Sequence, residues 1–166
     1  MRKIIIFGNS SSGKSTLAKQ LCLEKGLAHL DLDTLAWELT SPPERRALLD
    51  SKEEILKFIK SHNSWVIEGC YSDLIRFALP SSSDIIFMNI PVDLCVSNAK
   101  KRPWEPHKYS SKEEQDSNLS MLIDWIRQYD KREDELSRLA HEKLYKEFKG
   151  RKHMFTDNEN SILSLI

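Results

Sequence analysis

The sequence predicts an α/β fold, a parallel sheet covered by helices on both faces, and three observations carry that prediction. Short apolar runs alternate with stretches of helical spacing along the chain. The first run, Lys3-Ile4-Ile5-Ile6-Phe7, is continuously apolar, as a strand buried on both faces requires. Directly after it, Gly8 to Ser15 read Gly-Asn-Ser-Ser-Ser-Gly-Lys-Ser, the G-x-x-x-x-G-K-[ST] spacing of a phosphate-binding loop set between a strand and a helix.

The loop chemistry explains these residue types. Gly8 and Gly13 allow a tight turn with no Cβ in the way. Successive N–H groups then point inward as an anion nest, and the following helix adds the positive end of its dipole. Ser10, Ser11 and Ser12 are small enough to leave room for phosphates. Lys14 is expected to reach the β- and γ-phosphates of a nucleotide, and Ser15 to offer its hydroxyl to Mg²⁺. The nucleotide-binding segment is therefore read as Gly8, Asn9, Ser10, Ser11, Ser12, Gly13, Lys14, Ser15 and Thr16.

The remaining elements follow in order. Leu17, Ala18, Leu21 and Cys22 share one helical face after the loop. A second strand is expected over Ala28 to Leu32, with Asp31 and Asp33 at its carboxyl end. Ser41-Pro42-Pro43 breaks the chain, and helical spacing returns at Leu48, Ile55, Leu56 and Ile59. Trp65-Val66-Ile67 reads as a third strand, closed by Glu68-Gly69. Asp84 to Ile90 reads as a fourth, ended by Pro91 and followed by a helix carrying Leu94, Cys95 and Val96. Two prolines in Lys101 to Lys108 argue against continuous helix there. A long helical region is expected next, with one stripe at Leu119, Leu122, Ile123 and Ile126 and another at Leu136, Leu139, Ala140, Leu144 and Phe148, stopped by Gly150. His153-Met154-Phe155 reads as a fifth strand and Ile162 to Ile166 as a short final helix.

Composition bounds the remaining function classes. The 166 residues suit a single domain, 1–166. Apolar residues make up 40% and charged residues 30%, as in a globular protein. Lys+Arg and Asp+Glu balance at 25 each, which argues against a broad nucleic-acid or acidic-membrane surface. No apolar stretch reaches membrane-spanning length, and the first strand leaves no room for a signal peptide. Cys22, Cys70 and Cys95 fit neither a metal spacing nor a disulfide framework, which points to a reducing cytoplasm.

In a parallel sheet, ligands sit beyond the carboxyl ends of the strands. That rule brings the loop at Gly8, the acids Asp31 and Asp33, and Glu68-Gly69 to one cleft. Asp33 is the candidate to orient or deprotonate an acceptor hydroxyl. Ser15, Asp31 and Glu68 are the candidate metal-site residues, holding Mg²⁺ directly or through water. For Asp31 and Asp33 a turn or helix-cap role is the alternative, and for Glu68 a solvated turn. The segment around 102–116 reads as a lid, with Arg102 as the candidate phosphoryl clamp and Lys108 second. Arg76, Arg127, Arg132 and Arg138 are further cations within possible reach of phosphate.

These residues resemble the adenylate-kinase-like small-molecule kinases: nucleoside monophosphate kinases, shikimate kinase and gluconate kinase. Gly8 to Ser15, Asp31-Leu32-Asp33, Trp65-Val66-Ile67-Glu68-Gly69 and the Arg102 segment carry the likeness. The run Trp65 to Tyr71 is most similar to a bacterial adenylate-kinase-related group, some of whose members are labelled DNA topology modulation proteins. The resemblance implies a three-layer α/β/α P-loop NTPase fold, with a five-stranded parallel sheet of order 2-3-1-4-5 and a short lid. It implies ATP as phosphoryl donor, a small-molecule acceptor near Asp33 and Glu68, and adenine near Thr156 to Asn158; Lys14, Asp33 and Arg102 are the candidate catalytic residues of the leading reading, an ATP-dependent kinase. The chain departs from the monophosphate kinases after its third strand, where Glu68-Gly69-Cys70-Tyr71 replaces their Asp-Gly-x-Pro-Arg. A regulatory nucleotide switch and a nucleic-acid-associated NTPase are the alternative readings; the second has Lys100-Lys101-Arg102 in its favour and net neutrality against it.

Overall fold

The computed structural model describes residues 1–159. Five strands form one all-parallel sheet: β1 (Lys3–Gly8), β2 (Ala28–Asp31), β3 (Trp65–Gly69), β4 (Asp84–Met88) and β5 (Arg151–Phe155). Their order is β2-β3-β1-β4-β5, as the resemblance implies. Register is set at the centre, where Ile5 lies opposite Ile67 of β3 and Ile85 of β4.

The helices are α1 (Lys14–Lys25), α2 (Asp33–Ala36), α3 (Leu48–Ser61), α4 (Ser72–Ala78), α5 (Val92–Lys101), α6 (Lys112–Arg127) and α7 (Arg138–Glu147). Alternation along the central strands divides the interior into two cores. Ile4, Ile6, Val66, Ile86 and Met88 face α1, α5 and α6, packing on Leu17, Leu21, Cys95, Val96 and Ile126. Ile5, Phe7, Trp65, Ile67, Ile85 and Phe87 face the other way, onto Ile55, Leu74, Ile75 and Leu144 of α3, α4 and α7. This is the three-layer α/β/α arrangement that an unbroken apolar central strand requires.

Three local expectations are corrected. Strand β4 ends at Met88, two residues earlier than expected. The long helical region is two helices, because residues 128–137 leave the helix. Ser137 there caps α7 by accepting from Ala140 N at 3.0 Å, and Asp134 Oδ1 accepts from Leu136 N at 3.0 Å. Within α7, Leu139 faces solvent at 62% exposure and is not part of the core. The short helices α2 and α4 carry no periodicity long enough to read from sequence. The expected helix at 162–166 lies outside the described residues.

Candidate functional site

The carboxyl ends of β1, β2 and β3 open onto a cleft of about 1240 Å³. The loop after β1 forms its floor. Gly8 and Gly13 hold φ values of +156° and +94°, and Ser11 also takes a left-handed φ of +58°. A Cβ on Gly8 would stand 2.5 Å from the Met88 carbonyl oxygen, so the neighbouring strand requires glycine. Ser10, Ser11, Gly13, Lys14, Ser15 and Thr16 line the cleft.

The other loop residues serve from beneath. Asn9 is buried; its amide donates to the Ile126 carbonyl at 3.2 Å, and its Oδ1 accepts from Ser10 N at 2.8 Å. Ser12 is fully buried under the loop. Lys14 Nζ folds back to donate to the Asn9 carbonyl at 2.6 Å, spanning the concave side of the turn. Two amides that sequence reading missed pin the loop from outside. Asn98 Nδ2 donates to the Ser11 carbonyl at 2.9 Å and to Asn158 Oδ1 at 3.0 Å, and Asn158 Nδ2 donates to the Ser12 carbonyl at 3.0 Å. With those carbonyls tied outward, the loop's amides are left for the cleft. Asn158 thus lies beside the loop, in the segment where the resemblance implies adenine.

One wall carries the acids. Ser15 Oγ donates to Glu68 Oε1 at 2.7 Å, and His29 Nε2 lies 3.3 Å from the same oxygen. Glu68 is buried at the end of β3 and lines the cleft; Asp31, at the end of the neighbouring strand, does not. Asp31 Oδ1 accepts from Asp33 N at 2.9 Å, turning the chain into α2. Burial, then the charges of Glu68 and Asp33, hold the Asp31 carboxyl above its ordinary value. Among the described residues no group of three or more His, Cys, Asp or Glu side chains is gathered to hold a metal ion. Magnesium commonly takes one or two protein oxygens plus phosphates and waters, and the all-oxygen Ser15–Glu68 pair fits that demand.

Asp33 faces the cleft from the first turn of α2. Tyr71 OH donates to its Oδ1 at 2.6 Å, Trp37 Nε1 donates to that hydroxyl at 2.8 Å, and Lys108 Nζ stands 3.6 Å from its Oδ2. Lys108 and Arg102 both come from the segment after α5. The Arg102 guanidinium donates to Ser11 Oγ at 2.9 Å and to Glu105 Oε2 at 3.3 Å, so it already touches the phosphate loop.

No family model describes this chain and no curated protein matches it. Solved structures do. A shikimate kinase from Bacteroides thetaiotaomicron is 15% identical, with 96% of this chain and 89% of that one covered and a TM-score of 0.51. A gluconokinase from Sinorhizobium meliloti 1021 is 14% identical, with 98% and 86% covered and a TM-score of 0.50. The chain has the fold of these P-loop kinases.

On that fold, Arg76, Arg127, Arg132 and Arg138 stand away from the cleft lining. Arg76 pairs with Glu147, Arg132 pairs with Asp134 and stacks 3.7 Å above the Trp125 ring, and Arg138 pairs with Asp130 and Asn89. Sequence reading also missed Tyr71 and Trp37 as side chains holding Asp33. The only local signal was Tyr71 falling two residues past the Gly69 strand end. No described helix is long and apolar enough to cross a membrane.

Proposed function

We propose that the chain is an ATP-dependent small-molecule kinase that moves the γ-phosphoryl group of Mg-ATP to an acceptor. The observation that carries this reading is that one cleft is lined by both the phosphate loop and Asp33, with Lys14, Arg102 and Lys108 in the same lining. The kinase fold shared with solved structures supports it.

In this reading Gly8 to Thr16 bind the nucleotide phosphates through loop amides and the start of α1. Lys14 exchanges the Asn9 carbonyl for phosphate oxygens, a stronger, charge-assisted partner. Ser15, with Glu68 and Asp31 behind it, would hold Mg²⁺, which would neutralise phosphate charge. Asp33 aligns the acceptor hydroxyl and takes its proton as the acceptor oxygen bonds to phosphorus. The bond between phosphorus and the β–γ bridging oxygen breaks, and ADP leaves. Arg102 and Lys108, on a lid spanning about 102–116 of a single domain, meet the charge on the migrating group.

The test is ADP release from Mg-ATP across nucleosides, nucleoside monophosphates, sugars, shikimate and gluconate, with Lys14→Ala as the blank. Acceptor-dependent release lost in the variant is expected. Release unchanged by Lys14→Ala overturns the reading.

A further inference from the structure

The charges in the cleft bear on which acceptor it takes, an inference that rests on the kinase reading above. Beyond the phosphate loop the cleft is walled by Trp37, Glu38, Leu39 and Tyr71, and on the lid side by Trp104 and Lys108. Trp37 and Trp104 are 37% and 44% exposed. Their N–H groups are already engaged, Trp37 on Tyr71 OH and Trp104 on the Tyr109 carbonyl at 3.1 Å, so what they offer is ring surface. Trp37 and Tyr71 meet edge to face, with centroids 6.4 Å apart. Flat apolar surface at a cleft, beside a few placed polar groups, suits a ring.

An anionic acceptor loses hydration on entering and needs an uncommitted cation in exchange. On this side Lys108 and Arg102 already have partners, and the kinase reading assigns both, once released, to the phosphoryl group and not to the acceptor. Lys108 sits on Asp33, and Arg102 bridges Ser11 and Glu105. Arg45 lies behind Tyr71, its Cζ 5.0 Å from the ring centroid and outside the cleft lining. All three of its guanidinium nitrogens are used, on the Ala36 carbonyl, Glu135 and Asp73. Lys19 lines the cleft one helical turn along α1 from Ser15, on the phosphate-loop side. His107 also lines the cleft, as do the carboxylate-bearing Glu38 and Glu105. The Glu38 carboxylate makes no hydrogen bond or ion pair among the described residues, so it adds negative charge to the acceptor wall.

We infer that the acceptor is a ring-bearing hydroxyl compound with no carboxylate or phosphate group: a nucleoside, a neutral sugar or an amino sugar. Its ring lies against Trp37 and Trp104, and its reactive hydroxyl takes Asp33 Oδ2 in place of Lys108. The displaced Lys108 ammonium is then free for the phosphoryl group. An amino substituent finds its partner in Glu38.

The experiment is calorimetric titration of the Mg-ADP-loaded full chain with two panels. One holds nucleosides, neutral sugars and amino sugars; the other holds nucleoside monophosphates, shikimate and gluconate. The best binder is expected in the first panel, at least tenfold tighter than any in the second. Trp37→Phe is expected to weaken that binder several-fold and Trp37→Ala about tenfold, with Mg-ADP affinity within twofold of the parent in both. An anionic compound binding as tightly as the best neutral one, or no binder in either panel, overturns the inference. Failure of Mg-ADP itself to bind overturns the kinase reading instead, so the two failures are distinguishable.

Discussion

The Tyr71 hydroxyl donates to Asp33 Oδ1 at 2.6 Å, which commits one oxygen of that carboxylate and leaves Oδ2 to face Lys108 and the cleft. Burial and the nearby acid push the Tyr71 phenol above its ordinary value, so it stays a donor at every ordinary pH. The hydroxyl also accepts from Trp37, which fixes its direction. On the kinase reading Tyr71 is therefore a positioning residue: it sets which Asp33 oxygen an acceptor would meet.

Tyr71→Phe tests this while keeping the ring on which Arg45 stacks. Loss of the two hydrogen bonds of that hydroxyl, to Asp33 and from Trp37, is expected to cost about 1–3 kcal/mol of stability, read by urea denaturation. A loosened Asp33 is expected to lower kcat by about 10- to 100-fold. KM for Mg-ATP should stay near the parent value, because the loop is untouched. A fall in nucleotide affinity with kcat preserved would assign Tyr71 to the loop instead.

The Ser15–Glu68 contact makes a separate prediction about the metal. If Glu68 holds Mg²⁺ or its waters, Glu68→Gln removes a charge at almost constant shape. ATP binding in EDTA should be little changed, while the gain in affinity on adding Mg²⁺ should shrink by roughly tenfold. An unchanged Mg²⁺ gain would leave Glu68 as an anchor for Ser15 and His29 only.

What could be read in the sequence and what could not divide along chain distance. The phosphate loop is a local signal, with its glycines, lysine and flanking apolar run within about one βα unit. Asp33 was legible because a strand end at Ala28 to Asp31 locates it. Tyr71 with Asp33, Trp37 with Tyr71, and Asn98 with the Ser11 carbonyl are pairs separated by 38, 34 and 87 residues, and nothing local announces them. The break at 128–137 was hidden for another reason. That stretch contains neither Gly nor Pro, and its turn is built from Asp134 and Ser137 side chains bonding nearby amides.

Glycine positions should separate steric from conformational cost. Gly26 closes α1 at φ +65°, with open space where a Cβ would sit. Gly26→Ala should therefore cost only the left-handed backbone penalty, about 1 kcal/mol. At Gly8 the added Cβ meets the Met88 carbonyl at 2.5 Å, which only movement of the β4 backbone relieves. Gly8→Ala should be the more destabilising by denaturation and should abolish nucleotide binding as well. Equal costs at the two sites would mean that the loop yields more easily than its packing suggests.

His141 supplies the pH prediction. It is fully buried, with Nε2 2.7 Å from the Cys70 carbonyl and Nδ1 2.6 Å from Tyr129 OH. A carbonyl only accepts, so Nε2 carries the proton; the bare Nδ1 accepts from the tyrosine, and the ring is neutral. Burial pushes its pKa down to about 4, against 6.5 for an ordinary histidine. Between those values the unfolded chain takes up a proton that the folded chain refuses, so folding stability falls as pH drops through this window. Above about 6.5 the contribution is complete, and by pH 4 it is lost, on the order of 3 kcal/mol in all. Melting temperature measured from pH 7 to pH 4 should show this slope. His141→Gln should be less stable at pH 7, because it breaks the bridge between α7 and Cys70, yet its melting temperature should fall less steeply over the same interval. Parallel curves for the two proteins would mean that other groups dominate the acid transition.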